Sequence, residues 1–260
     1  MEVLVSSMNK DMSLLEKMNI QTNAVVINQT PNISENFSYK QQVINDRTWK
    51  FYSMSEKGVG RSRNNALMRA SDDIIVMADE DEVFVDGYEK IINEAYSKYP
   101  DADMIIFNVR VHQGNKIRET TKKEGKVKFY NSLKYGTVTF TFKRNSILKK
   151  NLSFSLLFGG GTRYGSGEDT LFLWSALKTK LKIYSIPITI SDVYNDTSSW
   201  FEGFNKKYYV DKGALYQALG GKLSFFLILQ FWLRRYDSSN NVKRIEALKY
   251  MLQGAKNFKE

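Results

Sequence analysis

At 260 residues the chain is long enough for one large domain, or one domain with an appended subdomain, and for a sizeable buried core. It has no cysteine and one histidine, His112, which excludes disulfides, thiolate metal sites and histidine-rich zinc centres. Any metal must be held mainly by oxygens, which favours magnesium, manganese or calcium, and the net charge of +10 suggests a polyanionic partner: phosphates, nucleic acid or an anionic membrane surface.

The N-terminus lacks the basic start and long apolar stretch of a signal peptide, so a cytoplasmic chain is expected. Residues 2–6 are short and apolar and read as a strand, 11–18 as a helix, and 24–27 as a β-branched strand ended by Asn28-Gln29. Residues 30–48 are polar, with Pro31 and several Asn and Ser, and read as a loop. A third strand is expected at 49–53, a glycine-led helix at 58–70 and a further strand at 74–78. Residues 86–99 read as a helix stopped at Pro100, and 104–109 as another strand. This alternation predicts a mainly parallel sheet with helices on both faces, whose ligands bind outside the carboxyl ends of the strands.

At one such end stand Asp79-Glu80-Asp81, with Glu82 next, directly after the apolar run Ile74-Ile75-Val76-Met77-Ala78. Carboxylates held that close repel, and burying them unpaired costs several kcal/mol, so a divalent cation or basic side chains should share the space. In an extended segment Asp79 and Asp81 project to the same side and Glu80 to the other, which leaves Glu80 the poorest ligand. Read blandly, the cluster is a solvated turn.

Beyond residue 110 the pattern changes. Residues 116–128 form a charged, hairpin-like excursion, and 136–143 alternate as an edge or hairpin strand. Five glycines in 158–167 mark a flexible loop, which leads to a helix at 170–178. A strand pair is expected around Pro187 within 181–190, then an aromatic, polar stretch at 194–209 and a helix at 212–219. The tail, 222–260, is basic, and its apolar run Leu223 to Leu233 is too short to span a bilayer. That run ends at Arg234-Arg235 and either packs on the body or lies on an anionic membrane, with roughly 1 kcal/mol of attraction per basic residue.

Two more segments bear on chemistry. Gly58-Val59-Gly60-Arg61-Ser62-Arg63-Asn64 opens a helix, where backbone amides and arginine suit phosphate; the alternative is a glycine turn with a basic solvated face. Gly167-Glu168-Asp169 delivers two acids to a helix start, as an N-cap or as a separate base. Metal cluster, phosphate-binding helix start and separate carboxylate together describe group transfer from a diphosphate-activated donor.

In order and spacing, over roughly residues 1–200, these three segments resemble the basic helix start, the DxD motif and the ED motif of family-2 glycosyltransferases with the GT-A fold. The resemblance implies an inverting transferase that uses a nucleotide-sugar, usually UDP-linked, with Mg2+ or Mn2+. It would place Asp79 near the ribose and diphosphate, Asp81 as the main metal ligand, Arg63 against the nucleotide and Ser6 in the nucleotide pocket. Asp169 would be the general base, and Glu168 would orient the acceptor or base. Ser198-Ser199-Trp200-Phe201 looks like an acceptor loop in which Ser199 and Trp200 meet the acceptor, Trp200 stacking on a sugar or packing in the core. Asn28-Gln29 stand where many relatives carry an acid that reads the nucleobase, which makes Asn28 the donor-side residue there. The histidine that many relatives add to the metal is absent from Ser191-Asp192-Val193-Tyr194-Asn195, leaving Asp192, Asn195 or water to complete the shell.

The expectation is therefore an α/β protein with a nucleotide-sugar-binding half at 1–110, an acceptor-binding and catalytic-base half at 111–220, and a basic amphipathic helical extension at 221–260. It would transfer sugar to a glycan or polyprenyl-diphosphate-linked acceptor in capsule or exopolysaccharide assembly, peripherally bound at the inner membrane face and without nucleic acid. The rivals are a sugar-phosphate nucleotidyltransferase and a non-enzymatic basic membrane- or nucleic-acid-binding module.

Overall fold

The computed structural model describes residues 1–31, 37–194, 203–236 and 242–259. The chain opens with β1 (Glu2–Met8), α1 (Ser13–Lys17), β2 (Asn23–Gln29), β3 (Phe37–Ile44), β4 (Arg47–Met54), α2 (Val59–Arg69), β5 (Ile74–Asp79) and β6 (Glu82–Phe84). It continues through α3 (Tyr88–Lys98), β7 (Met104–Gln113), β8 (Lys116–Glu119), β9 (Gly125–Lys126), α4 (Phe129–Ser132), β10 (Phe140–Lys143) and α5 (Arg144–Lys149). The last elements are α6 (Glu168–Lys178), β11 (Ile183–Tyr194), α7 (Lys206–Gly220), α8 (Ser224–Arg235) and α9 (Arg244–Asn257).

One sheet runs in the order β3-β4-β2-β1-β5-β10-β7-β11-β6. β4, β2, β1 and β5 are mutually parallel, as are β7 and β11, whereas β3, β10 and β6 run antiparallel to their neighbours. The sheet is thus mixed, parallel in its N-terminal part. Val3, Val5, Val26, Ile92, Ile105 and Phe107 belong to the core on one face, with α1 and α3. Leu4, Ile27, Met77, Phe140, Phe142 and Phe172 form the core on the other, with α2, α5 and α6. Burial of each such side chain contributes about 1.5–3 kcal/mol, which is why apolar runs without alternation form the strands covered on both faces.

Three expectations change. The polar stretch 30–48 contains β3, an edge strand paired antiparallel to β4 and largely exposed, so its outer residues need not be apolar. Its turn is Asn45-Asp46, both at positive φ (48° and 62°), the two-residue geometry that matches strand twist. The segment 136–143 is not an edge: β10 lies between β5 and β7. Its alternation looks half-exposed because of Thr141, yet that hydroxyl is buried, donating to the Ile105 carbonyl and bonded to the Tyr96 hydroxyl. The expected strand pair around Pro187 is the single strand β11, whose register slips between Ser185 and Ser191 and so tolerates the proline.

α7, α8 and α9 build a third core with Phe158 and Tyr164 of the loop before α6. α7 and α9 touch backbone to backbone: a Cβ on Gly213 would sit 1.9 Å from the Met251 carbonyl oxygen, and one on Gly254 1.9 Å from that of Val210. The expected boundary after residue 220 falls inside this helical unit, since α7 shares its core with α8 and α9. The stretch Lys206–Arg235 is long enough for a membrane span and contains an 18-residue window apolar enough for one, with mean hydropathy 1.2. It is broken at Gly220-Gly221, where Gly221 takes φ 51°, and its first half is core-packed.

Candidate active site

β5 delivers Asp79 to the carboxyl end of the sheet, beside Ser6, its register partner on β1. α2 begins at Gly58 (φ 112°) and runs back under the same end, because Gly60 lies against the backbone of Ser155, whose carbonyl oxygen would be 2.1 Å from a Cβ there. This fixes Arg63 in the interior, 4% exposed. Its Nη2 donates to both Asp79 carboxylate oxygens (2.9 and 3.1 Å) and its Nη1 to Glu168 Oε1 (2.7 Å). One guanidinium therefore joins the acidic strand end to the start of α6. Expected to meet a nucleotide, Arg63 instead spends these donors on two carboxylates. Burial opposes its charge, but Asp79 and Glu168 outweigh that and hold its pKa above the ordinary value.

The four acids of the cluster have separate surroundings. Glu80 accepts from the Met8 amide (2.7 Å) and pairs with Lys10 (3.5 Å). Asp81 is pushed up to about 6 by burial and by the Asp79 charge. It borders a cavity of about 310 Å3 lined also by Asn9, Lys10, Leu14, Glu80 and Tyr194. Glu82 is fully buried, accepts from the Ser191 hydroxyl, and is held well above the usual carboxylate range by burial. Across the sheet, the Tyr194 amide donates to the Asp81 carbonyl (3.1 Å), so the end of β11 closes on the cluster.

The glycine-rich loop before α6 is internally bonded rather than loose. The Gly159 amide donates to the Tyr164 carbonyl (2.8 Å), the Tyr164 amide to that of Leu157 (3.0 Å), and Asp211 accepts from the Gly165 amide (2.9 Å). Gly159 is required by closeness: a Cβ there would stand 2.6 Å from Val59 and 2.8 Å from Glu168 Oε2. The Val59 amide is already bonded to the Gly160 carbonyl (3.1 Å), so this loop covers the α2 start expected to cradle phosphate. Gly167 precedes α6, and Glu168 is raised by burial and by Asp169 against the pull of Arg63. Asp169 is half-buried, its Oδ1 accepting from the Thr170 amide (2.6 Å).

Ser6 is nearly buried and accepts from the Ser62 hydroxyl (3.1 Å), tying β1 to α2. Asn28 is buried and bonded to the amide and carbonyl of Lys10 (2.8 and 3.0 Å) and to Ser53, bracing the loop after β1. Ser199, Trp200 and Asn195 lie outside the described residues. Asp192 is committed to Arg110, through Nε (2.8 Å) and Nη2 (2.5 Å), and to His112 (2.6 Å). Burial raises its pKa, but these partners hold it below the usual value. His112 is on β7, where it is the register partner of Tyr194 on β11, and the two rings stack with centroids 4.6 Å apart.

Lys212 on α7 was not foreseen. Burial lowers its pKa, opposed by the charges of Asp169, Glu168 and Asp211. The charged pair Asp211-Lys212 inside the otherwise uncharged run Tyr209 to Leu215 was the available signal.

Among the described residues, no three His, Asp or Glu side chains converge into a metal-holding group. Asp81 and Asp79 nevertheless suit Mg2+ or Mn2+. They are hard oxygen donors whose mutual repulsion is expressed at Asp81, and such ions need only one or two carboxylates when phosphates and water fill the shell.

No protein-family model matches the chain, and no curated protein does. The fold is shared with solved structures of S. aureus TarS. TarS 1–349 in complex with UDP-GlcNAc superposes with a TM-score of 0.63 at 15% identity, covering 98% of this chain and 81% of that one. The same piece in complex with UDP gives 0.58 at 16% identity, covering 97% and 80%. The longer TarS structure gives 0.58 at 15% identity and 97% coverage of this chain, which spans 42% of it. The chain therefore has the GT-A fold anticipated from its motifs.

Proposed function

We propose that the protein is a metal-dependent inverting glycosyltransferase that moves a sugar from a nucleotide-sugar, a UDP-sugar, to a hydroxyl of a glycan or lipid-linked glycan. The Arg63 bridge carries this reading, because it holds the acidic strand end and the Glu168-Asp169 helix start at one site. The shared fold with TarS, solved with UDP-GlcNAc and with UDP, supports a donor of the same class.

In this reading the acceptor hydroxyl oxygen attacks the anomeric carbon, the bond from that carbon to the nucleoside diphosphate breaks, and the diphosphate leaves with the electron pair. Asp169 takes the hydroxyl proton as the new bond forms. Glu168 and Asp79, clamped by Arg63, keep the base and the donor end in fixed relation, which lowers the entropy of reaching the reactive geometry. Lys212 lies within electrostatic reach of Glu168 and Asp169, whose charges oppose the lowering of its pKa by burial. A divalent ion held by Asp81 and Asp79 would offset the charge developing on the departing diphosphate. The finer setting is bacterial surface polysaccharide assembly at the cytoplasmic membrane face, with a polyprenyl-diphosphate-linked acceptor.

The test is a thermal-shift screen of UDP, UDP-sugars and GDP-sugars with Mg2+, Mn2+ or EDTA, followed by product analysis. Metal-dependent stabilisation by a UDP-sugar and release of UDP are expected, since a ligand bound only by the folded state raises its stability. Release of pyrophosphate from a nucleoside triphosphate and a sugar phosphate would replace this reading with nucleotidyl transfer.

A further inference from the structure

The α8 helix is a helix with its apolar side outward. Of its twelve residues only Ser224 and Ile228 are buried, while Phe225, Phe226 and Leu233 are 51%, 66% and 57% exposed. Phe226 and Leu233 are seven residues apart, so they share one face, and Leu223 just before the helix is exposed as well. Such a face costs free energy in water, and single exposed leucines do not account for it.

The apolar surface extends beyond the helix. A groove of about 1060 Å3 is lined by Phe129, Trp174, Leu223, Phe226, Leu227 and Phe258, joining α8 to α4 across α6. Tyr130 on α4 and Leu133 just after it are also exposed. Basic side chains border both parts: Lys222, Arg234 and Arg235 at the two ends of α8, Lys128 and Lys134 on either side of α4, all exposed. No acid occurs between Lys212 and Tyr236. A protein partner complementary to such a face would need matching acids around an apolar centre, whereas a bilayer with anionic headgroups presents both everywhere.

We propose that α8, with the adjoining groove, docks the protein on the surface of an anionic phospholipid bilayer. The helix lies in the interface with Phe225, Phe226 and Leu233 among the acyl chains and Lys222, Arg234 and Arg235 at the headgroup phosphates. At about 18 Å its twelve residues are too short to cross a hydrocarbon core of about 30 Å, so the helix lies flat. The inference deepens the proposed function, and rests on it only for its purpose: it would bring the site to a lipid-linked acceptor.

Flotation of the purified chain with vesicles of phosphatidylcholine, with and without phosphatidylglycerol, tests it. Binding is expected only with phosphatidylglycerol, and should fall as salt is raised from about 0.1 M to about 0.5 M. Each basic residue is expected to be worth about fivefold in partitioning, so Arg234→Glu with Arg235→Glu should weaken binding by at least about tenfold. Phe225→Ser with Phe226→Ser should do the same while leaving stabilisation by UDP unchanged. These side chains are exposed, so the variants should fold. Absence of binding to phosphatidylglycerol vesicles overturns the proposal, as does equal binding by the variants. So does a dimer that dissociates in the Phe variants without any vesicle binding, which would make this face an interface between copies. If UDP stabilises the protein but vesicles do not bind it, only the docking fails; if vesicles bind and no nucleotide does, only the transferase reading fails.

Discussion

Arg63 and Glu168 lie 105 residues apart in sequence, yet their side chains meet at 2.7 Å in the interior, and the same guanidinium grips Asp79. Two acidic motifs are thereby locked to one cation. Because Arg63 and Glu168 are desolvated together, removing the cation leaves a buried carboxylate without its counter-charge, and the half-exposed Asp79 without its partner.

Arg63→Ala should therefore destabilise the fold by about 3–5 kcal/mol, the usual cost of breaking one side of a buried ion pair. Arg63→Lys keeps the charge but cannot bond both carboxylates in the same geometry and should fall between. Urea unfolding of the three proteins checks this, and an alanine variant as stable as the parent would remove the bridge from the account.

Asp169 and Asp81 should separate kinetically. Asp169→Asn is expected to lower kcat by about 10²–10⁴-fold with donor KM nearly unchanged, since it removes the base alone. Asp81→Ala should instead weaken metal-dependent donor binding, read as a loss of stabilisation by UDP with Mn2+. Full activity in either variant would end that residue's assignment.

Asp81 also gives the fold a pH dependence. Its carboxyl rises from 3.8 to about 6 in the folded protein, so the folded state holds a proton that the unfolded chain has already lost. Its contribution favours the fold below pH about 4 and is lost as pH rises to about 6, where the carboxylate must ionise beside Asp79. In metal-free buffer, Asp81→Asn should gain melting temperature relative to the parent between those values, and the gain should level off above about pH 6. A gap between the two proteins that stays constant with pH would show that burial and Asp79 do not act on this carboxyl.

The α7–α9 crossing depends on absent side chains. Gly213→Ala or Gly254→Ala would place a methyl within 2 Å of a carbonyl oxygen on the facing helix, at 1.9 Å in each case. Each should cost at least about 1–3 kcal/mol by forcing the helices apart. Thermal unfolding should show the loss despite alanine's better helix propensity; a stabilised variant would refute the close contact.

Several elements were legible because their causes are local. The runs at β1, β2, β5 and β7 are apolar enough to declare strands covered on both faces, and the acids after Met77-Ala78 declare a strand end. β3 was hidden because an exposed edge strand carries no apolar pattern, and its Asn45-Asp46 turn was the one clue. β10 was misplaced because a buried threonine reads as polar until its two partners, Ile105 and Tyr96, are known.

By itself the sequence determined which residue types could act: mainly oxygen ligands, carboxylates at a strand end, two acids opening a helix, a basic apolar tail. Those follow from composition and from short-range periodicity. Tertiary structure alone decided their partners. It turned Arg63 inward onto Asp79 and Glu168, committed Asp192 to Arg110 and His112, and brought Lys212 of α7 toward Glu168 and Asp169. It also left α8 with its apolar face outward. Desolvated charge pairing and close backbone contact depend on distances between segments remote in sequence, and those distances are set by the sheet order, not by any local pattern.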